Sequence, residues 1–172
     1  MKDTKVKKLF FLGLIALTTM MCVFPNLDTE YFVSEEPKTA ELVGRYFPTS
    51  GTMRFIREEG KYEIDENEIT LLLKADGNFE MKNMPDWWHT DFGKSKGGED
   101  SGEGSWRIVA HQEWWDVQLD FDSREQFSSD KTESGLITSV PIVGDAPPYF
   151  LWFYVGDPDS GKVMVFERIS GE

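Results

Sequence analysis

Short apolar and polar runs alternate along most of the chain, and turn residues separate them. Residues 117–121 (Val-Gln-Leu-Asp-Phe) alternate strictly, as a half-buried strand does. Two β-compatible runs flank residues 75–78 (Ala-Asp-Gly-Asn), and Asp-Gly is a strong hairpin signal because both positions tolerate positive φ angles. Further apolar runs cover residues 106–110, 136–143 and 149–155. The pattern predicts an all-β antiparallel meander of about eight strands that closes into a small barrel, or alternatively a two-layer sandwich.

The stretch 156–161 (Gly-Asp-Pro-Asp-Ser-Gly) places two carboxylates in a spacing that suits either a tight turn or a calcium loop. Pro158 sets φ at the second turn position, Asp157 can accept from the turn's backbone N–H groups, and Gly161 supplies a left-handed residue. A calcium loop that begins at Asp157 would need a bidentate glutamate where Arg168 stands. The residues therefore favour a hairpin over a calcium site.

Residues 1–25 differ from the rest of the chain. Four lysines precede an apolar run at residues 9–24, which Pro25 ends, and this pattern predicts a hydrophobic helix that serves as a signal sequence or a membrane anchor. The run lacks alternating small residues for cleavage, which favours a retained anchor over a cleaved signal. A third alternative is lipidation at Cys22, against which the bulky Met21 argues. In each case the remainder is exported to the envelope, periplasmic or extracellular side.

The net charge of the exported portion excludes several kinds of binding partner. Residues 26–41 are acidic and aperiodic, which predicts a linker, and residues 42–170 form the predicted barrel domain. After Cys22 the chain holds 14 basic and 30 acidic residues, a net charge near −16. Such a surface excludes nucleic acid as a partner and disfavours flat binding to an anionic bilayer, so membrane contact is expected through the N-terminal segment only. The exported part has no cysteine for a disulfide.

Four turn motifs resemble those of a known protein type. They are residues 44–46 (Gly-Arg-Tyr), 76–79 (Asp-Gly-Asn-Phe), 102–106 (Gly-Glu-Gly-Ser-Trp) and 166–168 (Phe-Glu-Arg). Together they resemble small lipocalin-like β-barrel proteins of bacterial envelopes. Tyr46 stands where the first-strand signature of true lipocalins carries tryptophan. The resemblance implies an eight-stranded calyx-like barrel with no catalytic residues to carry over.

Candidate chemistry is sparse apart from the tryptophans. His89 and His111 lack the spacing of metal ligands, and the sequence has no nucleophile-elbow motif. We therefore expect that the protein binds no metal and no cofactor and is not an enzyme. Four of the six tryptophans form two adjacent pairs, and strand geometry would send one ring of each pair inward and the other outward. One interpretation is a barrel-mouth site for a small hydrophobic ligand, and the other is that both pairs plug the barrel ends. The candidate lining residues are Trp87, Trp88, His89, Trp114 and Trp115.

A second functional hypothesis uses the glycine-rich stretch 89–104. Its five glycines predict a mobile loop, and it carries a concentration of carboxylates. An acidic loop on an acidic protein suits binding to a basic partner, as in an inhibitor or immunity-type protein. The candidate partner-binding residues are Asp91, Glu99, Asp100 and Glu103.

Overall fold

A computed structural model describes residues 31–60, 65, 68–88, 98–122 and 137–169. Within them, eight antiparallel strands follow one another in chain order and close into a barrel, because β8 pairs back onto β1. The prediction of a closed barrel is confirmed, and the two-layer sandwich is wrong. The predicted N-terminal segment 1–25, with Cys22, lies outside the described residues. The strands are β1 (Gly44–Pro48), β2 (Thr70–Leu73), β3 (Asn78–Pro85), β4 (Glu99–His111), β5 (Trp114–Phe121), β6 (Ile137–Val143), β7 (Phe150–Tyr154) and β8 (Val163–Arg168).

The alternation read from the sequence sets which side chains face inward. On β5, Val117, Leu119 and Phe121 are buried inside, whereas Gln118 and Asp120 are only partly buried on the outer wall. The inward side chains of the eight strands build one continuous buried cluster inside the barrel. Its largest fully buried side chains are Tyr46, Phe79, Phe121 and Phe166. The interior is therefore packed with side chains.

One end of the barrel carries helix α1 (Thr39–Leu42) together with the β2–β3, β4–β5 and β6–β7 turns, and we call it the α1 end. Leu42 is fully buried in the core, and its carbonyl oxygen accepts a hydrogen bond of 2.8 Å from the Tyr46 hydroxyl. Burial raises the pKa of the Tyr46 phenol far above its ordinary value, although the charge of Arg168 opposes the shift. The α1 end is thus closed by a helix that the core side chains hold in place.

Helix α2 (Ser50–Phe55) and the π-helical turn Ile56–Gly60 lie at the opposite end, which we call the α2 end. Thr49 caps α2, since its hydroxyl accepts from the backbone N–H of Thr52 at 3.3 Å. The Thr52 hydroxyl in turn accepts from the Val165 N–H at 2.8 Å, which ties the helix to β8. Met53 and Ile56 are buried in the core, so this end is closed as well.

A short segment, residues 31–33, fits between β5 and β6 where those strands separate at the α1 end; we call it the strap. Val33 donates its N–H to the Ile142 carbonyl at 3.0 Å, and its own carbonyl accepts from the Trp115 N–H at 3.1 Å. The Gly144 N–H donates to the Tyr31 carbonyl at 2.9 Å. This part of the expected linker 26–41 is therefore bound to the barrel. Its backbone makes the hydrogen bonds that β5 and β6 no longer make with each other at this end.

Two loop predictions have opposite outcomes. The hairpin at residues 156–161 is confirmed: Tyr154 pairs with Val163 across it, and the Asp157 carboxylate accepts from the Asp159 N–H at 2.9 Å. The mobile loop at 89–104 is wrong for residues 99–104, which belong to β4. Gly104 serves close strand packing there, since a Cβ on it would lie 2.0 Å from the Asp120 carbonyl oxygen.

Candidate functional site

The two tryptophan pairs lie at opposite ends of the barrel. Trp87 follows β3 in a 3₁₀ turn (Asp86–Trp88) at the α2 end, whereas Trp114 and Trp115 open β5 at the α1 end. The sequence interpretation of one mouth lined by both pairs is therefore wrong, because β3 and β5 run in the same direction and these residues sit at opposite strand ends. Trp88 shares the 3₁₀ turn of Trp87, and His89 lies outside the described residues.

Trp87 closes the α2 end from inside. Its indole ring stacks on Phe55 of α2 with the ring centroids 4.9 Å apart, and its indole N–H points to the Met164 sulfur at 3.2 Å. Only 3% of the residue is exposed. Trp87 therefore belongs to the packed core and offers no surface to a ligand.

The pair on β5 divides between the two faces of the sheet. Trp115 packs against the core cluster, and Trp114 lies on the outer wall, where its ring stacks on Phe32 of the strap at 5.2 Å. Phe32 also meets Trp152 edge-on at 5.6 Å. His111 lies beside Trp114, with a ring separation of 4.7 Å. The outer wall at the α1 end thus carries an aromatic group that depends on the strap.

Asp116 lies on the same outer face and is nearly fully buried, with 2% exposed. The register places it between Val109 and Pro141. Burial raises the pKa of its carboxyl, while His111 and the nearby Trp114 indole N–H lower it. Among the described residues, neither Asp116 Oδ1 nor Trp114 Nε1 has a hydrogen-bond partner of good geometry, so the two groups are close without being well aligned.

A groove of about 470 Å³ runs along the outer wall between β3 and β4. It lies beside a bulge, where the register shifts between Met81 and Met84 and Asn83 adopts a positive φ of 52°. The Asn83 N–H donates to the Ser101 hydroxyl at 3.0 Å, which fixes Ser101 at the groove. The groove is lined by Glu80, Met81, Lys82, Glu99, Ser101, Gly102 and Glu103.

The charge of the groove is mainly negative. Glu80 pairs with Lys74 at 2.5 Å, and the hydrogen bond from Lys74 lowers the pKa of the Glu80 carboxyl. Glu103 lies directly opposite Glu80 in the β3–β4 ladder, so two carboxylates share this part of the wall. Glu99 and Glu103 are both exposed. A basic side chain entering the groove would therefore meet carboxylates from two strands.

The four predicted partner-binding acids have different positions. Glu99 and Glu103 both line the groove, although they stand on a strand and not on a loop. Asp100 is fully buried and paired with Met84, so it cannot serve as a surface acid. Asp91 lies outside the described residues. Sequence reasoning missed Glu80, because its position opposite Glu103 depends on the β3–β4 register.

Comparisons with known proteins identify no relative: no protein-family model, no curated protein and no solved structure matches the chain. Within the described ranges, no group of three or more histidine, cysteine, aspartate or glutamate residues is arranged to hold a metal ion. The helices in those same ranges are too short or too polar to cross a bilayer.

Proposed function

We propose that this protein is a non-catalytic interaction module, exported and held at a membrane by its N-terminal segment, that binds a basic segment of a partner protein in the β3–β4 groove. The observation that carries the proposal is the groove itself. Glu99 and Glu103 are exposed there, and Glu80 lies opposite Glu103. The net charge near −16 after Cys22 would steer a basic partner towards this surface.

The form of the groove favours side-chain recognition. The groove lies over a paired part of the wall, since Glu80 pairs with Glu103 and Pro85 with Glu99 across the β3–β4 ladder. A partner in the groove therefore meets the outward side chains of two bonded strands. Lysine or arginine side chains could reach the carboxylates of Glu99 and Glu103 there, and Ser101 could contribute a hydroxyl.

A hydrophobic ligand inside the barrel, suggested by the lipocalin-like resemblance, is the weaker proposal. Helices α1 and α2 close the two ends, and Trp87 fills space beneath α2. The inward side chains form one buried cluster. A ligand of useful size would have to displace part of that core, whereas the groove is accessible as it stands.

The test uses the full chain in detergent and a fluorescently labelled peptide of alternating lysine and serine residues. The groove variant is Glu99→Gln with Glu103→Gln. The control variant is Glu113→Gln with Asp145→Asn, which removes the same charge from exposed positions at the α1 end. Fluorescence anisotropy at low salt should show affinity weakened about five- to tenfold by the groove variant, the loss expected for two exposed ion pairs.

The control variant should leave the affinity nearly unchanged, and added salt should weaken binding to the unmodified chain. Equal weakening by the two variants would contradict the proposal, because it would show attraction to net charge without a site. Binding that is unaffected by the groove variant would contradict it directly.

A further inference from the structure

We propose that the outer wall at the α1 end docks on the headgroup layer of the membrane, so that the barrel lies on the bilayer in one orientation. This inference rests on the membrane attachment in the proposed function, and it is independent of the groove. The surface concerned consists of the exposed Tyr31 and Phe150 with the partly exposed Trp114 and Trp152, and we call it the rim patch. Phe32 is buried between the two tryptophans and supports it. Its occupant is a bilayer with zwitterionic headgroups.

The rim patch exposes large aromatic side chains next to the point where the N-terminal segment reaches the barrel. Tyr31 is 58% exposed and Phe150 is 37% exposed. They lie close together, because Tyr31 accepts from the Gly144 N–H and Phe150 pairs with Val143. Aromatic side chains with a polar edge, tyrosine and tryptophan above all, are those that settle at membrane interfaces.

The adjacent β6–β7 turn extends the apolar surface. Ala146, Pro147 and Pro148 are all exposed there, and a Cβ added to Gly144 would lie 3.9 Å from the Phe150 ring. Asp145 is the single charged residue in this turn, residues 144–149, so the turn has little charge to desolvate on approaching a bilayer. With Tyr31 and Phe150, the apolar residues of the turn form an exposed edge at the α1 end that Asp145 interrupts.

The short chain between the apolar run and the strap keeps this edge close to the membrane. The apolar run at residues 9–24 ends seven positions before Tyr31, and the strap bonds begin at Tyr31 itself. A fully extended chain covers roughly 3.5 Å per residue, so the α1 end stays within about 25 Å of the end of that run. A tether of this length gives effective concentrations of order millimolar, at which weak interfacial contacts are populated.

Charge around the patch selects the type of lipid. Asp145 and Glu113 are exposed at the same end of the barrel. Glu41 and Glu35 lie near Tyr149, whose pKa is raised by burial and by these two carboxylates. An anionic bilayer would repel this surface, whereas a zwitterionic one would not. Docking should therefore weaken as anionic lipid is added.

The opposite end supplies matched controls. Ile137, at the α2 end of β6, is 58% exposed, as much as Tyr31, but far from the N-terminal segment along the barrel. Ser160, in the β7–β8 turn, is exposed at the same end. If the bilayer adsorbed any exposed apolar residue, replacing Ile137 or Tyr31 would weaken binding equally. If the barrel docks through the rim patch, only replacing Tyr31 weakens it.

The experiment places the full chain, in a Cys22→Ser background, in phosphatidylcholine vesicles. An environment-sensitive fluorophore is attached to Ala146→Cys or, as the control, to Ser160→Cys. We expect blue-shifted emission and quenching by headgroup-labelled lipid at position 146 and not at position 160. The double substitution Tyr31→Ser with Phe150→Ser should abolish both signals at 146, whereas Ile137→Ser should leave them intact.

Several outcomes would overturn the inference. Equal signals at positions 146 and 160 would mean that the barrel has no fixed orientation. A blue shift that follows the protein-to-lipid ratio and ignores the lipid quencher would assign the rim patch to a second copy of the chain. Failure of the chain to sediment with vesicles would overturn the membrane attachment as well. Peptide binding in the groove, measured in detergent, does not depend on any of these results.

Discussion

At the residue scale, two glycines have different physical reasons to be glycine. Gly104 lies where the β5 backbone approaches so closely that a Cβ would overlap the Asp120 carbonyl oxygen. Gly161 has nothing within 4 Å of its Cβ position, but its φ of 68° is left-handed. The first site is limited by space and the second by backbone conformation, so alanine should affect them differently.

We expect Gly104→Ala to lower the free energy of unfolding by about 3 kcal/mol, because backbone must move to admit the methyl group. Gly161→Ala should lower it by about 1 kcal/mol, the penalty for a left-handed alanine. Urea denaturation followed by tryptophan fluorescence measures both. A larger effect at Gly161 than at Gly104 would contradict the close approach of β4 and β5. Asp159→Asn should be nearly silent with or without calcium, since the residue acts in a turn.

Asp116 is a second residue whose environment the sequence does not reveal. Burial raises the pKa of its carboxyl above the ordinary value of 3.8. Between pH 3.8 and the folded pKa, the folded chain therefore holds a proton that the unfolded chain releases. The free energy of unfolding therefore falls as the pH rises from 3.8 to the folded pKa. Above that range Asp116 remains a net destabilising group.

Asp116→Asn should remove this pH-dependent penalty. We expect the variant and the unmodified chain to have similar melting temperatures near about pH 4, and the variant to melt higher at about pH 7.5. Asp122→Asn, an exposed acid beyond the end of the same strand, should change little at either pH. A melting temperature of Asp116→Asn that stays below that of the unmodified chain at neutral pH would show that the carboxylate makes a necessary interaction.

At the scale of elements, the strap completes the barrel wall. Its backbone bonds bridge β5 and β6 where those strands no longer pair with each other, and Val33 enters the core. Phe32 covers the outer wall between Trp114 and Trp152. The barrel therefore depends on residues that precede its first strand in the sequence.

We expect Phe32→Ala to lower the free energy of unfolding by about 3 kcal/mol, because it removes a buried ring and its two aromatic contacts. Tyr31→Ala is the matched control, since its exposed ring should contribute within about 0.5 kcal/mol. Chemical denaturation of the full chain in detergent compares them. Equal, small effects would mean that the strap contributes only its backbone bonds.

At the scale of the whole molecule, the net charge of −13 opposes compactness. The ion pairs Lys74–Glu80 and Lys162–Glu59 are partly or largely exposed and contribute little against it. Repulsion among the remaining acids should therefore dominate the response of the fold to salt.

Raising sodium chloride from about 0.01 M to about 0.15 M shortens the screening length from roughly 30 Å to roughly 8 Å. We expect the melting temperature to rise over this range, as repulsion is screened, and differential scanning fluorimetry can follow it. Simultaneous Lys74→Gln and Lys162→Gln substitutions should leave the sign of the response unchanged. A melting temperature that falls with salt would show that attractive pairs outweigh the net charge.

The candidate site was only partly predictable. Glu99 and Glu103 stand out as acids in the sequence, but Glu80 joins them only through the β3–β4 register, which shifts at the bulge near Asn83. The apolar residues 31–33 are a visible interruption of the acidic linker, yet their place between β5 and β6 requires two distant strands to separate.

The alternation of apolar and polar residues, with the turns at 75–78 and 156–161, determined by itself most of the strands and their antiparallel order along the chain, because a period of two and a hairpin turn are local properties. It left a closed barrel and a two-layer sandwich both open, and the pairing of β8 with β1 decided between them. Only the tertiary structure decided which end each tryptophan pair occupies and that Asp116 is buried. It also decided that Glu80 lies opposite Glu103. Those facts depend on contacts between strands distant in sequence, and such contacts leave no local pattern to read.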